Sequence, residues 1–183
     1  MANTWRATSQ AVALSTAAAK DLLNVFNGGA SARIIRVYRC WHFNGLGTTA
    51  VTPTSAFAPI AIYRITAASV GSAVTPVSHD PANSALDAAT TAGTGQTVTT
   101  SDQFRKYMVS PDEPDVASGS GIDEWQTMVP IAEIWNSGYG ESNIQPLVCR
   151  ATQGVSIYQT AAITMSAGTA VSDLEIEFTD AGS

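Results

Sequence analysis

Residues 33–44, Arg-Ile-Ile-Arg-Val-Tyr-Arg-Cys-Trp-His-Phe-Asn, form the longest stretch of strand-forming residues in the chain and contain neither Gly nor Pro. Read at period two, the odd positions carry Ile35, Val37, Trp41 and Phe43, interrupted by Arg39, and the even positions carry Arg36, Tyr38, Cys40 and His42. One face is apolar and the other mixed, as in a strand whose inner side is covered by a second sheet. At about 3.3 Å per residue the run spans roughly 40 Å, about twice a typical strand. A bend or bulge near Arg39 is therefore expected.

The rest of the chain repeats this punctuation. Strand-like runs are read at Lys20–Asn27, Phe57–Ala67, Thr97–Val109, Trp125–Trp135, Leu147–Arg150, Val155–Gln159 and Leu174–Phe178. The last alternates most cleanly, with Leu174, Ile176 and Phe178 expected inside and Glu175 and Glu177 outside. Phe57–Ala67 carries bulk on both faces and reads as central in its sheet. Pro130 marks its own run as an edge or a broken strand. Asn27–Ser31 and Thr152–Gly154 read as hairpin connections. Residues 68–96, rich in Ala, Thr, Ser and Gly, read as one long contact loop. Residues 1–19 read as an N-terminal arm or edge strand, and 20–183 as one domain. The fold class expected is all-β: a single-domain antiparallel β-sandwich, jelly-roll-like, of about eight strands.

Only 13% of the residues are charged, so the surface costs little to desolvate against a neighbour. A net charge of -6 argues against nucleic acid as a partner. Residues 1–101 hold six Lys/Arg and three Asp/Glu, whereas 102–183 hold three and twelve. Either the halves interleave in one fold, or opposite patches meet across copies. No cleavable leader and no membrane span is read, so no membrane partner is expected. Cys40 and Cys149 read as small buried hydrophobes, with a disulfide as the alternative.

Chemistry is sparse. His42 and His79 lack ligand-spaced companions and read as hydrogen-bonded imidazoles. Residues 93–97, Gly-Thr-Gly-Gln-Thr, lack the lysine of a phosphate loop. Asp112, Glu113, Asp115, Asp123 and Glu124 could surround a hard cation, but their spacing matches no calcium loop, and a solvated loop or docking surface is the plainer reading. No cofactor is expected. Arg36 and Arg64, with Asp112, Glu113 and Asp115, are the candidate interface residues, as intersubunit ion pairs. The aromatics Trp5, Trp41, Trp125, Trp135, Tyr139 and Tyr158 read as core and sandwich-edge filling before a sugar platform.

The succession Arg33–Arg39, Ala61–Thr66, Val109–Pro114, Ile122–Trp125, Ile134–Tyr139, Gln153–Ile157 and Leu174–Phe178 resembles small all-β virion structural proteins of tailed bacteriophages, over most of the chain. The resemblance implies a non-enzymatic capsid cement or decoration protein, assembled in the host cytoplasm and resident in the virion. Its partners would be the major capsid protein or other virion proteins, and its state a homo-oligomer, a trimer favoured. It transfers no functional residue. The alternative is a tail-associated receptor- or carbohydrate-binding β-sandwich module.

Overall fold

The computed structural model describes residues 3–29, 33–45, 52–53, 58–109, 132–137, 144–167 and 169–182. They form β1 (Asn3–Ala13), β2 (Lys20–Asn27), β3 (Arg33–Gly45), β4 (Thr52–Pro53), β5 (Ala58–Ser69), β6 (Ser72–Val74), β7 (Val77–Ser78), β8 (Thr90–Thr94), β9 (Thr97–Val109), β10 (Ala132–Asn136), β11 (Leu147–Cys149), β12 (Gln153–Gln159), β13 (Met165–Ala167) and β14 (Val171–Gly182). Sheet A runs β10–β3–β14–β1–β7, with β11 also on β3; sheet B runs β6–β8–β2–β12–β5–β9; β13 and β4 pair apart. Every pairing is antiparallel. The protein is an all-β molecule of two antiparallel sheets, consistent with a β-sandwich.

The pairing is nested. β1 pairs with β14, β2 with β12, β3 with β10 and β11, and β5 with β9. β14 then joins β3, and β12 joins β5, closing each sheet. The two connections expected to be hairpins are therefore arches between sheets: β2 and β3 lie in different sheets, and so do β11 and β12. Turn residues mark where a chain reverses, and periodicity marks which face is buried; neither names the neighbouring strand. Gln159, fully buried, holds the arch from β1 to β2. Its Oε1 accepts from Ser15 N at 2.7 Å and its Nε2 donates to Ser15 O at 2.8 Å.

One apolar cluster fills the interior. Leu23, Val25, Ile60, Ile62, Val155 and Ile157 come from sheet B, and Ala7, Ile35, Val37, Leu174, Ile176 and Phe178 from sheet A. In β3 the expected irregularity falls at Tyr38, because Glu177 pairs with Arg39 while Phe178 pairs with Val37. That extra residue inverts the alternation downstream. Cys40 and His42, not Trp41 and Phe43, follow Ile35 and Val37 into the interior. On β14 Glu177 lies on the outer face, as expected, but is buried there. Residues 68–96 are not one loop: β6, β7 and β8 tie them into both sheets.

The bulge makes a prediction. Deleting Tyr38 leaves Arg39 and Val37 on their β14 partners and removes the two bonds from Ser137 to Tyr38 O, which together contribute about 1–2 kcal/mol. Deleting Trp41 instead turns His42 outward and Phe43 into its buried place, and should cost at least about 3 kcal/mol, since the His42–Ser172 bond is lost and a differently shaped ring must fit the packed interior. Urea unfolding of the two deletions compares them directly; equal costs would contradict the assignment of Tyr38 as the extra residue.

Candidate functional site

The outer face of sheet A holds a set of charged and aromatic side chains. Cross-strand pairing places Asn136, Arg39, Glu177, Arg6 and Val77 in one row, and Glu133, Trp41, Glu175 and Thr8 in the next. Arg6 Nε lies 3.1 Å from Glu175 Oε1, and His79 Nδ1 lies 3.9 Å from Glu177 Oε1. The Arg39 guanidinium sits 5.8 Å from the centre of the Trp41 ring. Burial raises the Glu175 carboxyl above its usual range, against the opposing pull of Arg6 and His79. Arg6, Val77, Ser78 and His79 border an open groove of about 360 Å³, and Val77 is 64% exposed there. Such a face offers alternating charge beside the half-buried Trp41 ring.

The loop before β8 is pinned to this sheet by a network that the sequence reading missed. Asp180, buried, receives Arg33 Nη1 at 3.3 Å, the Asp87 amide at 3.3 Å and the Thr90 hydroxyl at 3.4 Å on one oxygen. Arg33 Nε also reaches Asp87 at 2.8 Å. The signal available was the pair of opposite charges at the start of β3 and the end of β14, where the register sets them near one another.

Of the candidate interface residues, Arg64 lies inside the molecule's own network. Its Nη1 donates to Val148 O on the other sheet at 2.7 Å, its Nε lies 3.2 Å from Asp102, and it stands over the Phe104 ring at 5.1 Å. Arg36 is half-buried on β3, opposite Thr179 and Val148, and makes no ion pair among the described residues. Asp112, Glu113, Asp115, Asp123 and Glu124 lie outside the described residues. Among the described residues no group of three or more His, Cys, Asp or Glu side chains could hold a metal ion.

Two further polar sites are buried. His42 Nε2 is 2.7 Å from Ser172 Oγ, and both residues are buried between the sheets. Burial lowers the imidazole pKa to about 4, and no carboxylate bonds the ring among the described residues. The pair satisfies a neutral core imidazole and has neither the access nor the third group of a nucleophilic site. In sheet B, Asp21 accepts from Ser156 Oγ at 2.6 Å, Asn24 Nδ2 at 2.8 Å and Gln96 N at 3.1 Å. Burial raises its pKa despite these bonds. This network anchors the turn between β8 and β9. Cys40 and Cys149 are buried free thiols, each pushed up by burial, Cys149 to about 12.

Comparison of the chain with protein-family models, with curated proteins and with solved structures finds no match.

Proposed function

We propose that the protein is a structural component of a bacteriophage virion, a capsid cement or decoration protein that binds the major capsid protein as a homo-oligomer and catalyses no reaction. The observation that supports this reading is the nested strand order, first with last and each inner strand with its counterpart, an order that a jelly roll would have. Jelly rolls recur in capsid and lectin domains, and the fold alone does not choose between them. Two features favour the particle. The charge-poor sequence gives a surface that is cheap to desolvate. The outer face of sheet A presents paired charges beside Trp41, so that one contact is weak while many copies at fixed geometry hold firmly.

The test is protein quantitation and imaging of gradient-purified particles. The expected result is a fixed ratio to the major capsid protein, with density on the head surface. Recovery only in the soluble fraction contradicts the proposal, and density confined to the tail tip favours the receptor-binding alternative.

A further inference from the structure

Three irregular pieces of chain meet along the seam between β1 and the β6–β8 edge of sheet B. In β1 the register to β14 shifts between Ser9 and Val12, and Ala11 takes a φ of 52° there, its amide donating to Asp173 Oδ1. The β5–β6 turn carries Val70 at φ 62° and Gly71 at φ 95°. The β8–β9 turn carries Gly95 at φ 61°. A β-branched residue in the left-handed region is costly, and Val70 is 83% exposed, so no burial of its side chain offsets the strain. The turns are in close contact: a Cβ on Gly71 would stand 2.7 Å from Thr94 O.

Between them lies a groove of about 300 Å³, at the lower end of the range for small-ligand sites. Its side chains are Ser9, Gln10, Lys20, Ser72 and Thr94, with backbone and methyl groups between them. Lys20 is its one cation, and no carboxylate is among its lining residues. Lys20 Nζ gives one proton to Ala13 O at 2.7 Å, which fixes the ammonium and leaves two protons to donate. Two nearby carboxylates have oxygens engaged by backbone amides, Asp173 by Ala11 and Asp21 by Gln96.

We infer that this groove binds an acidic saccharide, with the sugar carboxylate on Lys20 and the ring hydroxyls on Ser72, Thr94, Ser9 and Gln10. Hydroxyl and amide groups match a ring that both donates and accepts, and the held ammonium selects the acid. No aromatic ring lines the groove, so binding rests on polar contacts and is weak per copy, rising where copies are displayed together. The inference does not rest on the virion reading.

The experiment is a titration of the whole protein followed by amide chemical shifts, using glucuronate, glucose and acetate as probes. Glucuronate should shift Lys20, Ser72 and Thr94, with glucose and acetate each at least ten-fold weaker. Lys20→Met should lose at least ten-fold. Ser72→Ala, which leaves the Lys20–Ala13 bond intact, should lose several-fold with an unchanged melting temperature. No shift at these residues, equal binding by Lys20→Met, or acetate as tight as glucuronate overturns the inference.

Discussion

Phe178→Ala is expected to lower the unfolding free energy by about 3–5 kcal/mol. The ring is fully buried at the middle of sheet A, with Val37 opposite on one side and Trp5 on the other. Removing it deletes apolar surface and leaves a cavity that two hydrogen-bonded neighbouring strands cannot close. A domain of this kind has roughly 5–15 kcal/mol in total, so the variant should be partly unfolded at moderate urea. Thr8→Ala, on the exposed outer face of the adjoining strand, should stay within about 0.5 kcal/mol. A Phe178 variant as stable as the Thr8 variant would mean that the interior is not packed around β14.

Acid should weaken the fold well above the carboxylate range. His42 is neutral in the folded protein until its pKa of about 4, whereas in the unfolded chain it takes a proton near 6.5. Between those values the unfolded state binds more protons, so stability is full above 6.5 and falls as pH drops toward 4. About 2.5 units at roughly 1.4 kcal/mol each give a loss of roughly 3.5 kcal/mol once the pH is below both values. Asp21 and Glu175 act in the opposite sense, because burial raises both and their protonation is favoured in the folded state. Their contribution grows as pH falls through the carboxylate range and flattens the curve at its acid end. Urea unfolding of the wild type and of His42→Gln, from pH 7.5 to 4, isolates the histidine. The wild type should lose stability between 6.5 and 4.5 while the variant changes little there; parallel curves would show that the imidazole is not the group responsible.

The longer strands were legible from their runs of strand-forming residues, most cleanly where two-residue alternation survives, as in Leu174, Ile176 and Phe178 of β14. By contrast β6, β7 and β8 were hidden in a segment without period. Which strand lies beside which was not legible. Asn27–Ser31 has the residues of a hairpin, yet the chain there leaves sheet B for sheet A, and only the packing of whole sheets decides between the two. The irregularity near Arg39 was legible from length alone, but not the consequence of placing it at Tyr38. One extra residue buries His42 and turns Trp41 outward, and period counting across a bulge assigns every later side chain to the wrong face. Asp21 was missed for a related reason. A carboxylate inside a strand reads as solvent-facing, and its burial depends on Ser156 and Gln96 arriving from other parts of the chain to join Asn24 of its own strand. Arg64 was legible as a strand arginine capable of fixed pairing, while its partners on β9 and β11 come from elsewhere in the sequence.

Both functional readings depend on the first described strand lying against the last. Thr8 and Glu175 stand directly opposite each other on β1 and β14, on the outer face and away from the two native thiols. Cysteines at both positions should link within one chain under mild oxidation, close to completely, and raise the melting temperature, since the bond closes most of the chain into one loop. Failure of Thr8→Cys and Glu175→Cys to link in the folded monomer would contradict the nested strand order that supports the virion proposal.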